Sequence, residues 1–238
     1  MKPTGLRTLV LGVALLAFAG PAGAVIIGLP ADAGGNCFPF GCTDTDGTPG
    51  TRYQQVYNST QFSGPLLIDT ISFFDAGHNG DLNSGTYTLS LSTTSKPVNG
   101  LDLVTFDNNV GSDNQAFAVA VLTGGAVPSV LTFSGTPFLY NPGLGNLLLD
   151  IHITGIGHTG NPSFFASRDG TAAGIFSRAQ DFGGGFDNYG LVTHFGENGE
   201  VPEPMPPMPE PTVPEPTTVV LLGLGLIGGA VGRRRIRA

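Results

Sequence analysis

The middle of this 238-residue chain predicts an all-β fold, an antiparallel two-sheet, jelly-roll-like sandwich. Three observations lead there. Short runs of alternating apolar and polar residues recur between turn signals. Glycine (37) and proline (19) are abundant, whereas Lys and Arg together number only 10. No amphipathic helix pattern separates the runs, and strands without crossover helices must pair antiparallel. Two stacked sheets are the natural way to bury strands that are apolar on one face.

At the N-terminus, Lys2 and Arg7 precede an apolar run, Leu9 to Ala19, broken by Pro21 and Gly23. Ala22-Gly23-Ala24 then supplies an A-x-A cleavage pattern, so residues 1–24 read as a secretory signal helix removed after Ala24. Residues 25–50 are rich in Gly, Pro and Asp and read as a loop-rich lead-in. They hold the only two cysteines, Cys37 and Cys42 in CFPFGC. In an exported chain that spacing reads as a local disulfide; a metal site needs more ligands nearby, and a redox CxxC is spaced differently. So small a loop is expected to shape its own segment more than to hold the fold together.

The body, residues 51–200, offers about nine strands. The clearest is Leu147–Thr154, with Leu147, Leu149, Ile151 and Ile153 on one face and Asp150, His152 and Thr154 on the other. Gly85–Thr93 repeats the period, with Tyr87, Leu89 and Leu91 inward. Phe117, Val119 and Val121 alternate with alanines, which predicts a strand covered on both faces. Further strands are expected at Arg52–Tyr57, Leu67–Phe74, Ser129–Ser134, Ser163–Ser167, Gly174–Arg178 and Gly190–Phe195. A membrane barrel is disfavoured by short strands and missing aromatic girdles.

Residues 201–216, VPEPMPPMPEPTVPEP, carry eight prolines in sixteen positions. Proline fixes φ and removes a backbone donor, so this is a polyproline-II-like stalk. At about 3.1 Å per residue it reaches roughly 50 Å. Residues 217–238 follow as a short apolar run, Thr217–Gly232, closed by Arg233, Arg234 and Arg235. As a transmembrane helix that run covers about 24 Å, short of the ~30 Å hydrocarbon core, so it spans marginally. The arginines stay cytoplasmic and place the body outside.

Charge is distributed unevenly. All 18 acidic residues lie between Ala24 and Thr217, where only Arg52, Lys96, Arg168 and Arg178 are basic, a balance of −14. A polyanionic body excludes nucleic acid as a partner. Asp75, Asn79 and Asp81 in DAGHNGDLNSG are candidate calcium ligands, hard oxygens in a glycine-rich loop. Asp44 and Asp46 in TDTDG form a weaker pair with no closing Glu. The same residues also dominate ordinary turns. No catalytic motif is present: there is no GxSxG, HExxH or phosphate-binding glycine loop. Any of His78, His152, His158 and His194 could bind a metal, but exposed or hydrogen-bonded structural histidines are the favoured reading. The chain is expected not to be an enzyme and to need no cofactor.

Pro214-Glu215-Pro216, the apolar run and the arginine cluster together resemble the PEP-CTERM sorting signal of Gram-negative, exopolysaccharide-producing bacteria. That resemblance implies export by the general secretory route and a transient inner-membrane anchor. It also implies recognition by an exosortase, a membrane transpeptidase that removes the tail, and a final place at the cell surface or in the extracellular matrix. The body resembles a recurring ectodomain of that family at Arg52–Tyr57, Ile71–Phe74, Gly135–Pro142 and Gly145–Ile151, which implies architecture rather than activity. A structural or adhesive body is expected first. Second is a module binding exopolysaccharide or cell-envelope glycan, calcium-assisted. With no Trp, only Tyr53, Tyr57, Tyr87, Tyr140 and Tyr189, besides phenylalanines, could stack on sugars. A glycan-active enzyme with two facing carboxylates ranks third.

Overall fold

The computed structural model describes residues 23–28, 34–42, 51–77, 80–157, 163, 165–170, 172–181, 185–187, 189–197, 199 and 202–204. All belong to one compact unit, Met1–Met205, separate from a second, Pro206–Ala238. Most of the signal segment, the Asp44–Asp46 loop, His78, Asn79, His158 and everything after Pro204 lie outside the described residues. Among the described residues no helix is long and apolar enough to cross a membrane.

Strands are β1 (Val25–Ile27), β2 (Gly34–Asn36), β3 (Arg52–Tyr57), β4 (Leu66–Phe74), β5 (Asp81–Thr94), β6 (Gln115–Ala126) and β7 (Val130–Tyr140). They continue with β8 (Asn146–Gly157), β9 (Phe165–Asp169), β10 (Phe176–Gln180), β11 (Gly185–Asp187), β12 (Tyr189–Leu191) and β13 (Thr193–Gly196). The loop-rich lead-in therefore contributes β1 and β2, too short to register as periodic runs. The segment read as one strand over Gly190–Phe195 divides at Val192 into β12 and β13, which belong to different sheets. Helical structure among the described residues is limited to two 3-10 turns, Ser59–Gln61 and Phe106–Asn109.

The four-stranded sheet runs β1-β13-β4-β7 and the six-stranded sheet β11-β10-β3-β8-β5-β6; a small third sheet runs β12-β9-β2. Among the described residues every strand pairing is antiparallel. The two large sheets enclose one apolar core, to which β4, β7 and β13 bring Ile68, Ile71, Phe73, Phe133, Phe138, Tyr140 and Phe195. Opposite them, β3, β5 and β8 bring Tyr53, Tyr57, Tyr87, Leu89, Leu91, Leu149 and Ile151. The alternation expected in Leu147–Thr154 is present: Leu147, Leu149, Ile151 and Ile153 are all buried in that core.

Strand β6 departs from expectation. Leu89 pairs with Ala118 and Ser90 with Ala116, so Phe117 is the extra residue of a β-bulge. A bulge changes the parity of the strand beyond it, because side chains alternate strictly. Phe117 and Ala118 therefore both face the core, and Ala120 and Leu122 follow inward. Val119 and Val121 point out, 66% and 71% exposed. The strand is covered on one face only. At the same level Gly135 of β7 lies against the Phe117 carbonyl, where a Cβ would overlap main chain. Only glycine lets the margins of the two sheets approach this closely.

Candidate functional site

The most elaborated polar site of the body sits on the outer face of the six-stranded sheet. There the excursion between β5 and β6 folds back over β3, β8 and β10. Leu101 packs with Val56, Leu148 and Ala179, flanked by Phe106 and Val110. These apolar residues lie on the side of the sheet away from the main core, and the excursion is what shields them. Asn109, fully buried, fastens it: its amide donates to Gln54 Oε1 at 2.7 Å and to the Asp102 carbonyl at 2.9 Å. Its Oδ1 accepts from the Asp102 amide at 2.6 Å.

Arg52 is the electrostatic centre of this site. Its Nε donates to Asp150 Oδ1 at 3.1 Å and its Nη2 to Oδ2 at 2.7 Å, a two-pronged pair. Nη1 lies 2.8 Å from Asp107 Oδ1 on the excursion, and the guanidinium sits 5.5 Å from the Phe106 ring centroid. Burial opposes the charge of Arg52, but the hydrogen bonds and charges of Asp150 and Asp107 outweigh it and raise its pKa. His152 Nε2 lies 3.6 Å from Asp150 Oδ2. One guanidinium bridging two carboxylates clamps the excursion to the sheet. Sequence reading singled out none of these as a site. The available signal was scarcity, since Arg52 is one of four cations in an acidic body.

Asp102 begins the turn into the second 3-10 segment. Its carboxylate accepts from the amides of Val104 (3.0 Å) and Thr105 (2.8 Å) and from the Asn108 side chain (2.8 Å). These bonds, that of Thr105 foremost, hold its pKa down at about 2.

A second polar network lies inside the sandwich, between β3 and the chain entering β13. Gln55 pairs both ways with Leu191, its Nε2 donating to the carbonyl at 2.9 Å and its Oε1 accepting from the amide at 2.8 Å. Tyr53 Oη contacts Gln55 Oε1 and also accepts from the Leu191 amide at 3.3 Å. Thr193 Oγ1 donates to the Leu191 carbonyl at 3.0 Å, so at its 2.7 Å contact with Tyr57 Oη the tyrosine is the donor. Burial pushes the Tyr57 phenol well above its ordinary pKa, so it stays neutral.

The Cys37–Cys42 disulfide is present, with Cα atoms 5.2 Å apart. The loop it closes is not peripheral. Phe40 is fully buried, with its ring centroid 5.0 to 5.6 Å from those of Phe73, Tyr87, Phe133 and Phe165. Asn83 secures the loop, its amide donating to the Phe40 carbonyl at 2.6 Å and its side chain to the Cys42 carbonyl at 2.8 Å.

Of the candidate calcium ligands, Asp75 is half-buried beside β4, its amide donating to the Ser129 carbonyl at 3.0 Å. Asp81 opens β5 opposite Ala126. Asn79 lies outside the described residues, as do Asp44 and Asp46, so neither set is assembled. Among the described residues no group of three or more His, Cys, Asp or Glu could hold a metal ion. His194 is buried on β13 and His152 exposed on β8. Four tyrosines, Tyr53, Tyr57, Tyr87 and Tyr140, are fully buried, and Tyr189 is 53% exposed.

Ala22, Pro214, Glu215, Pro216, Arg233, Arg234 and Arg235 lie outside the described residues, and Ala24 immediately precedes β1. No curated protein and no solved structure matches the chain. Residues 212–235 match the family model of the PEP-CTERM protein-sorting motif. By that match, which takes in Pro214-Glu215-Pro216, the apolar run and the arginine cluster, the chain carries a PEP-CTERM sorting motif at its C-terminal end.

Proposed function

We propose that this is an exported, exosortase-sorted surface or extracellular-matrix protein whose body serves as a structural or adhesive module rather than an enzyme. The sorting motif at residues 212–235 carries the reading of export, transient membrane anchoring and processing by an exosortase. The body's role is supported by how its aromatic side chains are disposed. Sugar-binding faces present flat rings to solvent, whereas four of the five tyrosines here are buried in the sandwich. The two carboxylates nearest each other in role, Asp107 and Asp150, are bound to Arg52 and not poised across an open cleft.

Strand order supports the jelly-roll reading. Leaving aside β10 and β11, the large sheets read β1-β13-β4-β7 and β3-β8-β5-β6. Successive strands thus move between sheets except at the β5–β6 connection, as two interlocked Greek keys require. A glycan-binding role, resting on the exposed ring of Tyr189, is the second reading.

The test is mass spectrometry of the protein from its native cells, with and without the exosortase. The proposal expects an N-terminus at Val25 and a C-terminus shortened near residue 216, with the second cut absent from exosortase-deficient cells. A full-length C-terminus in wild-type cells, or unchanged processing without the exosortase, refutes it.

A further inference from the structure

The margin of the sandwich formed by β6 and β7 differs in charge from everything around it. No Asp, Glu, Lys, Arg or His occurs between Asp113 and Asp150, although the balance between Ala24 and Thr217 is −14. Strand β6 is the last strand of the six-stranded sheet and β7 the last of the four-stranded sheet. Natural edge strands are blunted by charge, proline or a covering segment. Between Gln115 and Ala126 there is neither a charge nor a proline.

Covering is partial. At its N-terminal end β6 is closed by β7, where Gln115 Nε2 donates to the carbonyls of Thr136 and Pro137 at 3.1 Å each and Phe117 abuts Gly135. At its C-terminal end Gly124 and Gly125, with φ of 84° and 88°, turn the chain out of extended geometry. Between these limits lies Ala118–Thr123, AVAVLT, paired with β5 on one side and, among the described residues, hydrogen-bonded to no strand on the other. Val119 and Val121 stand exposed on its outer face. None of the six is charged, none is proline or glycine, and Val119, Val121 and Thr123 favour strands, a composition that can add to another strand of its own kind.

We propose that this edge pairs with the same edge of a second copy of the chain, antiparallel across a two-fold axis near Ala120. Charge selects the partner. Two copies of a polyanion repel wherever their carboxylates meet, and this uncharged margin is where they approach without bringing carboxylates together. Symmetry fits as well, because a two-fold at Ala120 sets Val119 of each copy opposite Val121 of the other on one face. Ala118 then faces Leu122 on the other face, so both faces match in polarity. The two six-stranded sheets join into one. This goes beyond the sorting reading and does not depend on it: processing of the tail is read by mass, pairing by sedimentation.

The experiment is sedimentation equilibrium of the full chain, as wild type, as Val121→Lys and as Ile26→Lys. The last places the same charge on β1, the edge of the other sheet away from β7. Far-UV circular dichroism and thermal melts check that each variant folds. Wild type and Ile26→Lys are expected to show the same concentration-dependent dimer. Val121→Lys is expected to dissociate with a constant on the order of tenfold larger at an unchanged melting temperature. A monomer at every concentration overturns the proposal. So does a self-association that Val121→Lys leaves untouched, which places the contact elsewhere, residues 217–232 included. If Val121→Lys fails to fold, Val119→Thr with Val121→Thr, which keeps β propensity and removes the apolar pair, must weaken the dimer instead.

Discussion

Arg52 and Asp150 meet in a two-pronged ion pair across β3 and β8, with Nε–Oδ1 and Nη2–Oδ2 separations of 3.1 and 2.7 Å. The Asp150 side chain is 5% exposed, whereas Asp107, the other carboxylate on Arg52, is 82% exposed. The two partners therefore differ in what their loss costs. Arg52→Met strands a buried carboxylate and should cost about 3 kcal/mol. Asp107→Asn removes a solvent-screened partner and should cost less than about 1 kcal/mol. Urea denaturation of both variants checks the ordering, and equal losses refute the clamp.

Phe40 ties the disulfide loop to the core, so the aromatic side chain and not the covalent link should dominate. Phe40→Ala is expected to cost about 3–5 kcal/mol, as for other buried Phe truncations. Replacing both cysteines by serine should cost about 2 kcal/mol, the chain-entropy value for so small a loop. Thiol labelling of the unreduced native protein should be absent, and thermal melts of the two variants give the ranking.

The Asp102 carboxylate gives the excursion an acid limit. Its pKa in the folded chain is about 2, below the ordinary value of about 3.9. Stabilisation from its hydrogen bonds is thus complete above about pH 4 and is lost as pH falls through 2. Amide exchange at Val104 and Thr105 should rise over that window in wild type. In Asp102→Asn the amides should exchange faster already at neutral pH, with no further acid step from this residue.

Gln55 acts as a side-chain rung between β3 and Leu191. Gln55→Leu has nearly the same volume but leaves the Leu191 amide and carbonyl without that partner, and should cost about 3 kcal/mol. Tyr57→Phe removes one hydroxyl from Thr193, which still donates to Leu191, and should cost about 1 kcal/mol. Chemical denaturation of the pair tests the network.

Glu215 and the arginine cluster should separate recognition from topology. Glu215→Ala is expected to leave membrane insertion intact and stop tail removal, seen as full-length protein in the membrane fraction. Deleting Arg233–Arg235 should leave the body folded but mis-sorted, because those charges set orientation. Normal tail removal in Glu215→Ala refutes the role of the motif.

What the sequence determined by itself was local. The sorting motif is a contiguous string, so order along the chain carries the whole signal. The Cys37–Cys42 bridge spans so few residues that proximity is assured. Strand β8 was legible because period-2 alternation is a property of one strand facing one core. Tertiary structure decided the rest. Phe117 is a bulge only relative to Leu89 and Ser90 of β5, so the outward turn of Val119 and Val121 depends on a pairing no single strand encodes. Leu148 and Val56 lie on the face away from the main core and are buried because the 95–114 excursion covers them. Arg52 and Asp150 are far apart in the chain and meet because β3 and β8 are neighbours, and Asp107 joins them because the excursion folds back over that pair. Periodicity reports the face a residue occupies, whereas the identity of what lies across that face is fixed by sheet order and register.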